Sequence, residues 1–459
     1  MGQRLRSVIS NGFGNLRQVL PGIVCTVLIT ACGGGSGGGS AAGDPEVFVQ
    51  AVPASEQRII PTTEARAYRP SSPYASVLKE CALADTDNIC TLAELPYIGQ
   101  AGGSLSVESV MERVVVTHDW MGLRFEQLLR RMPSDIVELF APVTAIMIGS
   151  EIRPSSFSSF RGRINIDPRY FWMSVEEKRT ISVAPDFRTE FGPDLKFRSF
   201  WRLASGDDYA TPFHSLSDDS TREIDDLDIS LARLLYHELA HANDVVQYND
   251  LDGLPLTVTP RAAVELLEGS TVRRSLYDRV QLTAQTSLLY GLAGVRFFND
   301  APNEFESTVL ADVVGSEMGN EGKAIFYGYS TTAEDVATLF AAAMMNYHYD
   351  VDYHVGLVNK PVNDATALCN DYKVEWGVRN RLASPLVAPR AKFVVDQMLR
   401  PSADRDQFFA TGMGTAEPLQ SGAGWCDSVS STVQFAKQAK NAARPPVGLE
   451  AEHIAPGSY

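Results

Sequence analysis

Two histidines flank a glutamate at a spacing of four in Leu231–Tyr248, LARLLYHELAHANDVVQY. On an α-helix His237 and His241 stand one turn apart on the same face, so two neutral imidazoles can hold one cation, for zinc at about 2.0–2.1 Å. Glu238 sits beside the first of them. From there its carboxylate can reach a water on the metal rather than the metal itself, accept that water's proton and later return it to a leaving amine. Zinc would supply the rest, lowering the pKa of the water to about 7 and polarising a scissile carbonyl. The competing reading is an amphipathic helix that carries His and Glu incidentally, and five residues make a short pattern. The chain has only seven histidines, however, so chance occurrence of the spacing is on the order of one in a hundred. Leu231, Leu234, Leu235 and Val246 supply the apolar side that would bury such a helix.

At this motif the sequence resembles the zincin metallopeptidases. The metzincin branch requires a glycine and then a third His or Asp after the pair, whereas Asp244 and Gln247 occupy those places. The third ligand must therefore lie farther along. Gluzincins take it from a glutamate on a later helix, and YGYSTTAEDVATLF (327–340) is similar to the Glu-Asp-x-Ala-x-x-Phe helix of several such families, including the lethal-factor-like peptidases. The resemblance implies one Zn2+ on His237, His241 and Glu334, with Glu238 as general base. It also implies a tyrosine just before the ligand helix that donates to the developing oxyanion, here Tyr327, with Tyr329 nearby. In zincins the strand edging the cleft pairs with extended substrate, and GRINIDP is the candidate.

Alternatives stay open at the third ligand. Thr331-Thr332-Ala333-Glu334 also fits a capping box, in which the glutamate only satisfies a backbone N–H. Glu265 and Glu268 in AVELLEGS are rivals at a separation nearer the thermolysin-like pattern. Neither Glu265 nor Glu334 is followed four residues on by an acid that would orient a ligand histidine, since Gly269 and Thr338 stand there. His348 and His354 in NYHYDVDYHVG could also donate to an oxyanion, although a loop or helix-end role suits both.

These residues need a scaffold. Met121, Phe125, Leu128, Leu129 and Met132 recur at helical steps, so at least one long helix precedes the motif. PVTAIMIGSEI, GRINIDPRYFW and FRSFWRLAS read as strands. Asp225, Asp226 and Asp228 suit the positive N-terminal end of the motif helix, and the Asp-Gly and Pro of NDLDGLPLTV close it. RAAVELLEGSTVRRSLYDRVQL and STTAEDVATLFAAAMMNY, with Val336, Leu339, Phe340, Ala343 and Met344 on one side, predict a helical second half. The order predicts an α+β fold, a zincin-like body with a small mixed sheet and an active-site helix, not a doubly wound nucleotide fold. No Gly-rich phosphate loop or Gly-x-Ser-x-Gly elbow appears.

The 459 residues have an average globular composition and a net charge of −16. Residues 1–31 hold three arginines (Arg4, Arg6, Arg17) and no acid, so their removal takes −16 to −19. That charge disfavours nucleic acid as a partner. Those residues read as a signal segment, and Ile29-Thr30-Ala31-Cys32 resembles the lipobox of bacterial lipoproteins, which implies a lipidated Cys32 and a membrane anchor. GGGSGGGSAAG then suits a flexible tether over 32–45. An ordinary secretory signal is the alternative. Cys81, Cys90, Cys369 and Cys426 remain, an even number outside a reducing compartment, and Cys81–Cys90 with Cys369–Cys426 is the expected pairing. The division that follows is an N-terminal elaboration over 46–105, a catalytic body over 106–360 and a C-terminal extension over 361–459. The expected function is zinc-dependent hydrolysis of a peptide or protein substrate in the bacterial envelope. The rival is a surface or periplasmic lipoprotein using the same fold for binding or structure.

Overall fold

The protein is described by a computed structural model covering residues 51–428, apart from 86–88, 189–190, 213, 268–270, 280–285 and 365. The signal segment, Cys32 and the tether lie outside the described residues, as does Glu268.

Two five-stranded sheets form. In the first, β1 (Arg66–Ala67), β2 (Val114–Val116), β3 (Ala145–Ile148), β4 (Ser156–Ser158) and β5 (Arg163–Ile166) lie in the order β1-β2-β3-β5-β4. β2, β3 and β5 run parallel, and the two edge strands are antiparallel to their neighbours. Val114, Val115 and Val116 are fully buried, the environment of a parallel strand covered on both faces. The second sheet is wholly antiparallel. It contains β6 (Phe197–Ser205), β7 (Asp208–Tyr209), β8 (Asp352–Asn359), β9 (Val374–Arg379) and β10 (Glu417–Pro418), in the order β10-β9-β8-β6-β7.

Thirteen α-helices are present among the described residues. α1 (Ala75–Leu83), α2 (Val107–Met111), α3 (Asp119–Leu129), α4 (Ser134–Leu139) and α5 (Val175–Lys178) accompany the first sheet in sequence. α6 (Asp225–Val245) carries the His-Glu motif and is followed by α7 (Pro260–Leu266), α8 (Thr271–Arg279), α9 (Ser287–Phe298), α10 (Ala311–Gly319) and α11 (Thr332–Tyr349). α12 (Ala388–Met398) and α13 (Ala403–Gln407) complete the set. The architecture is α+β, and the strands expected at 145–148, 163–166 and 197–205 are present.

Three features differ from the sequence reading. The helix expected around Met121–Met132 is present as α3, but the valine triplet ahead of it, which is not among the expected strands, is extended and pairs with β3. The second half is not purely helical, since β8 lies between β6 and β9 and forms the centre of the second sheet. Finally, β5 is not an edge strand. It is bonded to β3 on one side and β4 on the other, so its backbone groups are already used, and β4 is the edge. The flanks are woven into the body as well, β1 through β2 and β9 through β8.

α6 and α11 pack directly against each other, and β4 and the turn Pro168–Tyr170 pack on α6. The expected apolar side of α6 is in place, with Leu231, Leu234 and Leu235 fully buried and Val246 nearly so. Both expected disulfides form, with Cα–Cα separations of 5.3 Å for Cys81–Cys90 and 5.8 Å for Cys369–Cys426. The second ties the Cys369 turn to the C-terminal turn beside buried Trp425, in a small apolar cluster with Phe200 and Tyr372. Paired cysteines suggest an oxidising compartment, extracellular or periplasmic. Among the described residues no helix is long and apolar enough to cross a membrane.

Candidate metal centre

The first turn of α6 carries Asp225, Asp226 and Asp228, where the helix dipole favours negative charge. Arg131, just past the end of α3, grips Asp225 at 2.5 Å and Asp228 at 2.6 Å, fastening that end of the helix. Two to three turns farther on the helix is buried all round. His237 is fully buried, Glu238 is 1 % exposed and His241 3 %.

α11 begins at a β-region Thr331 whose Oγ1 accepts the Glu334 N–H at 3.1 Å. The amide half of the capping box is therefore real. The Glu334 carboxylate, 2 % exposed, has a different neighbourhood: Oε2 lies 3.0 Å from His237 Nε2 and 3.5 Å from His241 Nε2. The two Nε2 atoms are 3.2 Å apart. Capping and ligation are thus compatible, because the backbone N–H and the side chain of Glu334 face different partners.

The triangle of 3.0, 3.2 and 3.5 Å has a simple chemical reading. Ligand atoms on a tetrahedral ion at 2.0–2.2 Å stand about 3.4 Å from one another. Three lone-pair atoms drawn this close without a shared proton or cation would repel, and burying all three polar groups would be costly. This buried group can hold a metal ion. Burial pushes the Glu334 carboxyl upward, but the His241 and His237 imidazoles outweigh it and hold the group well below the usual carboxylate range.

Tyr327 lies in the short 3-10 turn Phe326–Tyr329 immediately before α11 and is 5 % exposed. Its ring runs nearly parallel to that of His237, centroids 6.4 Å apart, and Phe297 of α9 packs edge-on at 4.9 Å. Burial and the nearby Glu334 carboxylate raise its pKa well above that of a free tyrosine, with Glu238 adding to the effect and Arg188 opposing it. The phenol therefore stays protonated at neutral pH and can serve as a hydrogen-bond donor. Glu238 and Tyr327 also lie within electrostatic reach of each other.

The remaining sequence candidates lie elsewhere. Glu265 is exposed and pairs with Arg261 at 3.0 Å. Tyr329 is fully buried with its ring 4.9 Å from the Lys323 ammonium. His348 bonds Asp135 at 2.7 Å, and His354 accepts from Arg202 at 3.3 Å. Thr338, where an orienting acid was sought, donates to the Asp335 carbonyl at 3.1 Å instead. Consistent with that gap, His241 Nδ1 has no hydrogen-bond partner among the described residues. Arg188 was missed at the sequence level. It is a buried cation held by Asp186 and its charge reaches Tyr327, yet its local sequence, APDFRTEFGPD, reads as an ordinary polar loop.

Compared with protein-family models, with curated proteins and with solved structures, the chain finds no match in any of the three.

Proposed function

We propose that this chain is a zinc metallopeptidase of the gluzincin type. The observation that carries the reading is the convergence of His237 and His241 on α6 with Glu334 on α11, 97 residues from His237, into one buried triangle of ligand atoms. Glu238 stands beside the triangle in sequence and a protonated Tyr327 beside it in space. Two imidazoles and a carboxylate with no thiolate form a donor set that suits zinc.

When bound, the ion would supply a Lewis acid that polarises the scissile carbonyl and acidifies a water. Glu238 would take a proton from the attacking water as its oxygen bonds to the carbonyl carbon, hold it on the carboxylate, and pass it to the departing amine nitrogen as the C–N bond breaks. Tyr327 donates its O–H to the carbonyl oxygen as negative charge develops there. An extended peptide would pair along β4, the edge strand packed on α6.

One observation favours the rival reading as a binding or structural protein. Every residue of the site is 5 % exposed or less, so a peptide reaches it only if the surrounding elements part. Metal analysis of the purified protein combined with turnover of a broad peptide library separates the two. The peptidase reading expects one zinc per chain and metal-dependent cleavage. Protein that neither holds zinc nor takes it up and cleaves no peptide would establish the rival.

We also propose that the chain is anchored through a lipid on Cys32 in a bacterial envelope, a reading that rests on the ITAC sequence and the glycine-serine run after it. Cys32→Ser should move the protein from the membrane to the soluble fraction. Unchanged membrane association would overturn the anchor.

A further inference from the structure

Glu334 and Asp335 are neighbours at the start of α11, and both are buried, but they face opposite duties. Glu334 meets the two histidines. Asp335, fully buried, is held by three side chains from three other parts of the chain. Tyr277 of α8 donates to Oδ2 at 2.6 Å, and Lys323 reaches the same oxygen at 3.3 Å. Arg390 of α12 clamps both oxygens, at 3.1 Å to Oδ1 and 2.6 Å to Oδ2. Two of these donors also hold backbone near the site. The Lys323 ammonium donates to the Gly328 carbonyl at 2.9 Å and to the Tyr277 hydroxyl at 2.8 Å, while Arg390 donates to the Gly322 carbonyl at 2.8 Å.

Gly328 is the residue after Tyr327. A Cβ built there would stand 3.4 Å from the Asp335 Cα, so the Tyr327 turn lies directly on the first turn of α11. The network therefore grips, one residue away in each case, the backbone that carries the candidate third ligand and the backbone that carries the candidate oxyanion donor. An aspartate, an arginine and a lysine sunk together in the interior are poor value for stability alone, because desolvation offsets their attraction and a well-packed apolar set would do as well. What such a cluster can supply is a single geometry. Small errors there matter, since a ligand oxygen displaced by a fraction of an ångström leaves the coordination sphere.

We infer that Asp335, Lys323, Arg390 and Tyr277 are positioning residues of the metal site, fixing the first turn of α11 against the Tyr327 turn so that Glu334 meets His237 and His241. The inference rests on the metal reading of those three residues. It goes beyond that reading by naming what fixes the helix turn that carries the carboxylate ligand.

The test uses the full-length protein loaded with Co2+, whose visible spectrum reports ligand geometry, together with zinc retention against a chelator and a denaturation curve. Tyr277→Phe removes one bond to Asp335 and keeps every charge. Lys323→Met removes the link between Asp335 and the Gly328 carbonyl. Both should weaken zinc retention, by about 10–100-fold for Lys323→Met and toward the lower end for Tyr277→Phe, and both should alter the cobalt spectrum. Should Lys323→Met not fold, Tyr277→Phe alone decides. If wild type binds cobalt while the folded variants keep its spectrum and its zinc affinity and lose only stability, the cluster is merely structural and the inference fails. Wild-type protein that takes up no cobalt would instead overturn the metal reading itself.

Discussion

Glu238→Gln should bind as much zinc as the wild type and cleave peptides 10²–10⁴-fold more slowly, the range for losing general acid–base help, equivalent to about 3–5 kcal/mol of barrier. The expectation follows from the division of labour on α6. His237 and His241 put their Nε2 atoms into the triangle with Glu334, and Glu238, 1 % exposed, is not one of the three converging groups. Glutamine matches its shape and removes its capacity to take a proton. It also leaves a neutral amide in a buried position, so folding should survive. His237→Ala, by contrast, should lose metal and turnover together, since it deletes one corner of the triangle. Steady-state kinetics beside zinc stoichiometry on the same preparations distinguishes the cases. A Glu238→Gln protein that cleaves peptides at the wild-type rate would rule out hydrolysis through this motif, whatever the metal content.

How far the site was legible in the sequence varies with the range of the interactions that build it. α6 was readable because its information is local: acids in its first turn, leucines at steps of three and four, two histidines one turn apart. The helix of the candidate third ligand was readable only through resemblance to families with a Glu-Asp helix, since the pattern at Thr331 and Glu334 fits a capping box equally well. In the structure the Thr331 hydroxyl accepts the Glu334 N–H while the Glu334 carboxylate faces the two histidines. β2 was not among the expected strands because three valines are too few to establish a period, and what makes them a strand is pairing with β3, thirty-odd residues on. β8 was hidden in a histidine- and tyrosine-rich stretch for the same reason, its partners β6 and β9 lying far away on either side. The Asp335 cluster was invisible altogether. Its donors come from 58, 12 and 55 residues away, and no window of sequence brings Tyr277, Lys323 and Arg390 to one carboxylate.

Glu334→Gln should lose zinc at protein concentrations where Glu265→Gln retains it, with both variants folded. Glu265 is an exposed residue of α7 whose carboxylate pairs with Arg261 in a surface i,i+4 contact worth a few tenths of a kcal/mol, so its replacement should change nothing at the site. Glu334 offers Oε2 to the triangle from a fully enclosed position, and the two imidazoles hold it charged. Glutamine there retains a carbonyl oxygen of similar reach but no negative charge, which removes the one anionic donor of the set. The loss should be large, at least the 10–100-fold typical of disturbing an outer-shell partner, because a ligand itself is being replaced. The cap separates the explanations cleanly. In the folded structure the Thr331 hydroxyl accepts from the Glu334 backbone N–H, a bond that any side chain at 334 leaves intact. Helix stability should therefore change little while zinc retention collapses. Dialysis against a weak chelator followed by zinc stoichiometry reads the outcome, with Glu268→Gln run beside it as the other sequence rival. Retention of zinc in Glu334→Gln together with loss in Glu268→Gln would transfer the third corner to the chain around residue 268 and remove the oxyanion role from Tyr327, whose place beside the site depends on α11.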